Sequence, residues 1–404
     1  MLALTVKIKT DKTWLIWAVM AGGLVLRVLL VFMFPDGHKT DAGTFFAWMQ
    51  NLNDYGISHF YANTSFCDYP PGYLYILAGL GKIINALGLS WGQPETVLVM
   101  RAPAIICDLA AIYIIGRYAA IEKADFMRVC IFYAVCPPVL INASMWGQVD
   151  SVWTLPLLCA LIFLHRKKAI ACAIAYAVAL LIKPQAMLFA PVFLIGFIGA
   201  DWWKNYIKAA VTGIIVFMAG IFPFVQFNFS EISNKYFGTM SSYPYATVNA
   251  FNFYAMIGAN WAKLSNRFLF VNYQFWGYAV IAAAVLYAAY FYFKKCKNVF
   301  CASYILMVSL FMFATMMHER YLYPVFALML MTYIYTKNIR LLYCTAALAC
   351  VNFLNVYLVL IAQAGDEVKQ TAPEAVFIVS VLTLICGIAA IWASNTLIQK
   401  KQSS

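Results

Sequence analysis

Apolar runs close to the length of a membrane-crossing helix recur along this whole chain, and that pattern limits it to very few folds. They lie near 14–34, 99–119, 127–143, 152–164, 169–182, 186–200, 207–225, 275–293, 299–315, 322–335, 341–362 and 374–394. About 20 apolar residues span the hydrocarbon core as a helix, and about 17 suffice. With 64% of the 404 residues hydrophobic and 11% charged, no sizeable soluble domain fits between the runs. The expectation is an all-α polytopic membrane protein: a single domain over residues 1–404 and a bundle of about twelve transmembrane helices. The first run follows Lys7, Lys9 and Lys12 without a small-residue cleavage site, so it reads as a retained helix.

A net charge of +12 would suit nucleic acid on a soluble domain. Here the basic residues cluster beside apolar runs, so they report orientation and contact with anionic lipid headgroups, and nucleic acid is not expected as a partner. The stretch 72–88 decides the topology. If it crosses, the clusters Arg166-Lys167-Lys168 and Lys294-Lys295-Lys297 fall outside; if it does not, most of the 28 lysines and arginines gather on the cytoplasmic side. It therefore reads as an interfacial or re-entrant helix, broken at Gly79, Gly81 and Lys82. Two long loops, about 35–98 and 226–274, then share the outer face. Nearly all of the 11 cysteines lie within apolar runs at no metal-ligand spacing, and Cys67, in the first loop, reads as a free thiol.

On this topology one rim collects every patch able to carry chemistry. These are Asp41, Asp68-Tyr69-Pro70-Pro71, Trp146-Gly147-Gln148-Val149-Asp150, Lys183-Pro184-Gln185 and His318-Glu319-Arg320-Tyr321. Polar groups at a bilayer boundary are costly without partners, so their convergence suggests a built site of an enzyme or transporter. The second loop is rich in Asn, Tyr and Phe, including Asn249 and Asn252. That composition suits sugar stacking and hydrogen bonding, or equally an interfacial aromatic belt. Arg27 and Asp108 lie inside apolar runs, where an isolated charge costs about 3 kcal/mol on the lenient scale. They are expected to pair.

An acid shortly after the first run, Trp48 seven residues later and the Asp68-Tyr69-Pro70-Pro71 turn closing the loop form a specific order. In this order, and in the 146–150, 183–185 and 318–321 patches that follow, the chain resembles the GT-C glycosyltransferases. The resemblance is closest to the lipid-phosphate-sugar-dependent mannosyl- and glucosyltransferases of GPI-anchor and dolichol-linked oligosaccharide synthesis and to their prokaryotic relatives. It implies a catalytic acid in the first outer loop, which matches Asp41 with Asp36 nearby, and a reaction that needs no metal or other cofactor.

The chemistry agrees with that resemblance. A sugar carried on a polyprenyl phosphate already has an anionic leaving group, so the enzyme needs cations for the phosphate and one carboxylate for the acceptor's proton. Asp41 is the expected general base, with Asp36 and Asp68 as alternatives; Asp41 would also suit a helix N-cap. Arg320, His318 and Lys183 are expected to hold the phosphate, although Arg320 could pair with Glu319 or snorkel to headgroups. Asp68, Tyr69, Trp146, Gln148, Asp150, Gln185, Asn249, Asn252 and Glu319 are candidates for the sugar and acceptor. Asp68 would otherwise cap the turn made by Pro70 and Pro71, and Asp150 would otherwise cap the following helix. The expected reaction is inverting transfer of a hexose, mannose before glucose, to a lipid-linked glycan or other acceptor. A secondary transporter, a flippase or a glycan polymerase is the rival, and a transporter would also use a charge pair like Arg27 and Asp108. The sequons Asn63-Thr64-Ser65 and Asn228-Phe229-Ser230 suit an endoplasmic reticulum lumen, but the short loops favour a prokaryotic plasma membrane with the site outside the cytoplasm.

Overall fold

The computed structural model describes residues 14–198, 203–226, 228–238, 243–363 and 371–395. Among these, every apolar run folds as a helix or a broken pair of helices, and strand is confined to two-residue pieces. Six helices are long and apolar enough to cross a bilayer: Trp14–Met33, Pro94–Ile121, Asn205–Val225, Tyr273–Lys294, Ile339–Ala362 and Pro373–Asn395. Phe126–Ala134 and Pro137–Trp146 add a seventh if taken as one span, bent by 46°. Pro137 and Pro138 lack the N–H groups that would continue the helix across this break.

The remaining five runs are shorter helices, Asp150–His165, Ala169–Ile182, Pro184–Ile198, Val299–Phe313 and Tyr323–Thr336. By length alone, then, six or seven spans stand where about twelve were expected. The difference has a packing origin. Val299–Phe313 and Tyr323–Thr336 are buried on nearly every face, whereas only 17% of the Asn205–Val225 window is buried. A helix apolar all round and enclosed by neighbours is a core element and need not match the hydrocarbon thickness itself. The long helices form the outer surface.

The stretch 72–88 is one helix, Pro71–Ala86, and is not among the helices long and apolar enough to cross. It is not broken at Gly79, Gly81 or Lys82. Its glycines serve close packing instead. A Cβ on Gly81 would stand 2.5 Å from the Asn53 side chain, and one on Gly72 would stand 2.5 Å from the Leu181 backbone. Helix Pro71–Ala86 therefore lies tightly between Lys39–Tyr55 and Ala169–Ile182, which brings the 68–71 turn beside Lys183. Pro70 occupies the N-cap position and Pro71 follows it, so Asp68 does not cap this helix.

Arg27 and Asp108 do pair, at 2.9 Å, with both side chains fully buried. Tyr323 donates to the other Asp108 oxygen, and Arg27 Nη1 donates to the Gly23 and Ala134 carbonyls. In the second loop, Thr247–Val248 pairs in parallel with Met317–His318, so the loop is stitched to the segment carrying His318.

Candidate active site

Four chain segments meet around Asp41. Buried Arg101 ties two of them together by donating to the Phe34, Pro35 and Ser144 carbonyls at 2.7–2.9 Å. The His38 amide adds a 3.0 Å hydrogen bond to the Trp146 carbonyl. The start of helix Lys39–Tyr55 thus lies against the 146–148 turn. His38, not Asp41, is the N-cap of that helix: its Nδ1 accepts from the Asp41 amide at 3.2 Å. Asp41 sits in the first turn, so its carboxylate is free for other partners.

Those partners are three. Trp146 Nε1 donates to Asp41 Oδ2 at 2.8 Å, and Gln148 Nε2 donates to the same oxygen. His38 Nδ1 lies 3.3 Å from Oδ1, and the His38 ring stacks on Trp146 with centroids 4.6 Å apart. Burial pushes the Asp41 carboxyl up, but the adjacent His38 ring and the Arg320 charge outweigh it and hold the group far below the usual carboxylate range. Burial also opposes charge on His38. There Asp41 and the Gln363 carboxamide, which pairs with Nε2, outweigh it and raise the imidazole above its ordinary value.

The cations lie beside this carboxylate. Lys183, buried at the end of Ala169–Ile182, gives its amine to Asp150 Oδ1 at 2.5 Å. Asp150 also accepts from Trp153 Nε1 at 3.1 Å and from Asn142 Nδ2 at 2.8 Å. It is not a cap, since Val149 holds that position without a side-chain bond. Arg320 donates to Glu319 Oε1 at 2.6 Å, lies 3.9 Å from Asp150 Oδ2 and stacks over Trp146 at 5.5 Å. The Arg320 side chain keeps 17% exposure, so it is neither sealed in nor snorkelled out. Its Nε is buried without a hydrogen-bond partner, as is Gln185 Oε1, whose amide donates to the Tyr321 hydroxyl at 2.9 Å. Orphaned buried polar atoms are rare, and here Arg320 Nε, Gln185 Oε1 and Asn142 Oδ1 belong to one cluster.

His318 differs from the two cations beside it. Burial, then the Arg320 and Lys183 charges, push it down to about 3, so it is a neutral imidazole at pH 7 and not a cation. It packs edge-on to Tyr243 and against Tyr321, with centroids about 5 Å away. Burial raises the Asp68 and Glu319 carboxyls. Tyr69 lies under the Lys183 amine, 5.4 Å from the ring centroid, and its hydroxyl donates to Gln148 at 3.5 Å.

Two expected residues stand apart. The Asn252 carboxamide accepts from the Tyr254 and Ala255 amides and donates to the Phe311 carbonyl, so it is spent on the loop. Asp36 is exposed and lines a separate cavity of about 380 Å³ with Lys39, Trp91 and Arg101. Asn249 touches the cluster through the bridge it forms with His318. Cys67 is a free, buried thiol. Among the described residues no three His, Cys, Asp or Glu side chains are grouped to hold a metal ion.

The family model of glycosyltransferase family 87 matches residues 66–316, which include the 68–71, 146–150 and 183–185 patches. The chain belongs to glycosyltransferase family 87. This family 87 member is therefore a glycosyltransferase with several membrane-spanning helices, in line with the expected GT-C-like fold. No curated protein matches the chain. His38, Asp41 and the 318–320 segment fall outside the matched residues, so their place in the site rests on geometry.

Reasoning from sequence missed His38, Asn142, Trp153 and Gln363. His38 had a readable signal: a polar side chain three residues before the first-turn acid is a capping arrangement. Asn142, Trp153 and Gln363 sit in apolar runs or at their ends, where nothing local marks them.

Proposed function

We propose that the protein is an inverting hexosyltransferase that moves a sugar, mannose by preference, from a polyprenyl-phosphate donor to a lipid-linked glycan. The observation that carries this reading is the pairing of a hydrogen-bonded carboxylate, Asp41, with a guanidinium that has an orphaned buried donor, Arg320. The acceptor hydroxyl attacks the anomeric carbon as its proton passes to Asp41. The bond from that carbon to the phosphate oxygen breaks, and the lipid phosphate leaves onto Arg320. His318 supports the phosphate through an N–H bond as a neutral ring. Lys183, committed to Asp150, acts by charge and not by direct contact. No metal or other cofactor enters this scheme.

Asp41 is a weak base while Arg320 faces it alone. A bound phosphate offsets the Arg320 charge, so the carboxylate gains proton affinity when donor is present. The lipid tail has a suitable place. An apolar cleft of about 580 Å³ is lined by Tyr176, Leu180, Phe193 and Tyr236, and its rim residues Met187 and Ile214 are exposed. The Tyr176 hydroxyl donates to the Ala186 carbonyl at 3.0 Å, which anchors the cleft next to the 183–185 segment.

A crossing of about twelve helices, with this rim outside a prokaryotic plasma membrane, completes the proposal. The transporter reading loses its best support, because Arg27 and Asp108 are sealed against each other. The test is to incubate purified protein with a panel of synthetic polyprenyl-phosphate sugars and an acceptor, and to follow release of the lipid phosphate. Release from the mannose donor that depends on Asp41 is expected. Turnover of nucleotide sugars alone would overturn the reading.

A further inference from the structure

A third cavity, of about 440 Å³, lies between the second loop and the helix ends at Gln363 and Pro373. Three carboxamides, Asn249, Asn260 and Gln363, and the Trp261 indole form its polar side, with Val376 and Phe377 opposite. No Lys, Arg, Asp, Glu or His is among its described lining residues. Its volume is in the range of small-molecule sites.

The polar side is built and held. Asn249 Oδ1 accepts from Trp261 Nε1 at 2.9 Å and from Asn260 Nδ2 at 3.2 Å, and the Asn249 carbonyl accepts from Asn355 at 2.8 Å. Asn249 and Trp261 both adopt left-handed backbone, at φ 57° and 61°. For a residue as bulky as Trp this costs energy, and such strain gathers at ligand clamps. The strain and the indole hydrogen bond fix a ring that is 38% exposed.

The lining chemistry selects the guest. Among the described lining residues an anion or cation would meet no opposite charge. A lipid chain would leave the remaining hydrogen-bonding groups of three carboxamides unpaired, which costs more than the mostly apolar cleft beside Leu180 would. Carboxamides offer both donors and acceptors to hydroxyls, and an indole face accepts the C–H side of a sugar ring.

The cavity is also wired to the reacting carboxylate. Gln363 pairs with His38 Nε2, and His38 Nδ1 lies 3.3 Å from Asp41 Oδ1. One carboxamide and one imidazole therefore separate this space from the base.

We propose that this cavity is the subsite for the second, neutral sugar of the acceptor glycan, stacked on Trp261 and hydrogen-bonded by Asn249 and Gln363. The inference rests on the reading of Asp41 as the base, and it makes the natural acceptor at least a disaccharide.

The experiment compares n-octyl mannoside with n-octyl dimannoside as acceptors, using polyprenyl-phosphate mannose and the full-length protein in nanodiscs. The wild type is expected to favour the dimannoside in kcat/KM by about tenfold, the scale of one aromatic contact with added hydrogen bonds. Trp261→Ala should bring that ratio close to one, and Trp261→Phe, which keeps a ring, should restore most of it. Calorimetric titration of octyl dimannoside into donor-free protein should show the same order of affinities. Equal use of both acceptors by the wild type, or a preference that survives Trp261→Ala, overturns the subsite. If the wild type transfers to neither acceptor yet binds dimannoside in a Trp261-dependent way, the reaction proposed above fails and the subsite stands.

Discussion

Two buried charge clusters in this protein look alike in sequence and differ in what they leave open. In the bundle, Arg27 and Asp108 are fully buried, and both carboxylate oxygens and two of the three guanidinium nitrogens have protein partners; only Nη2 lacks one among the described residues. At the rim, the Asp41 side chain keeps 23% exposure and Arg320 keeps 17%, and Arg320 Nε and Gln185 Oε1 are buried without hydrogen-bond partners. A closed cluster has spent its interactions on the fold. An open one holds interactions in reserve for a ligand.

The largest expected effect tests the closed cluster. Removing one member of a buried ion pair leaves the other charge stranded, at a cost of about 3–5 kcal/mol, whereas replacing both removes the problem with the interaction. Arg27→Leu and Asp108→Leu should each lower the thermal midpoint and folded yield more than the double variant does. Additive losses would mean that the two charges are held by separate partners.

Asp41→Asn comes next, and it acts on rate with little effect on the fold. The amide keeps the shape of the side chain but takes up no proton, so transfer should fall at least about a hundredfold, the lower end for a positioned base. Donor binding should persist. Near-normal turnover would move the base elsewhere, and exposed Asp36, in its own cavity, is poorly placed to inherit the role.

Arg320→Ala should show the opposite division. Loss of a charge-assisted contact to the phosphate is worth about 1.5–3 kcal/mol, so the donor KM should rise by roughly tenfold or more. An unchanged kcat together with an unchanged donor KM would make Arg320 a partner of Glu319 and Asp150 only, and the rim cluster would then be as closed as the one inside.

Sequence displayed the open cluster better than its wiring. Asp41, Asp150, Lys183 and Arg320 are visible because charged residues are rare against an apolar background. Gln363 reaches His38 across 325 residues, and no local pattern announces a contact of that span. Sequence also cannot show the charge state of His318, because burial first, and then the Arg320 and Lys183 charges, push its imidazole down. The helices divide in the same way. Apolar runs mark where they are, but Val299–Phe313 and Asn205–Val225 look equally apolar while one is core and the other faces outward. Gly79 and Gly81 read as breakers because glycine weakens an isolated helix. Packing overrides that preference, and Gly81 is where Asn53 approaches.

The smallest effect, the position of the acid limb in the pH–rate profile, separates an armed base from a merely bound one. Asp41 accepts a proton only when ionised, so activity is lost as pH falls through its pKa. In the free enzyme, burial raises that pKa, while the adjacent His38 ring and the Arg320 charge outweigh burial and hold it far below the usual carboxylate range. The profile of kcat/KM reports the free enzyme and that of kcat the donor complex. A phosphate on Arg320 cancels part of the field that lowers Asp41, so the acid limb of kcat should lie at higher pH than that of kcat/KM. Arg320→Gln removes the same field permanently and should raise the kcat/KM limb toward the kcat limb, closing the gap. Coincident limbs in the wild type would show that donor charge never reaches Asp41, and the Arg320 guanidinium would then belong with Arg27 as part of the fold.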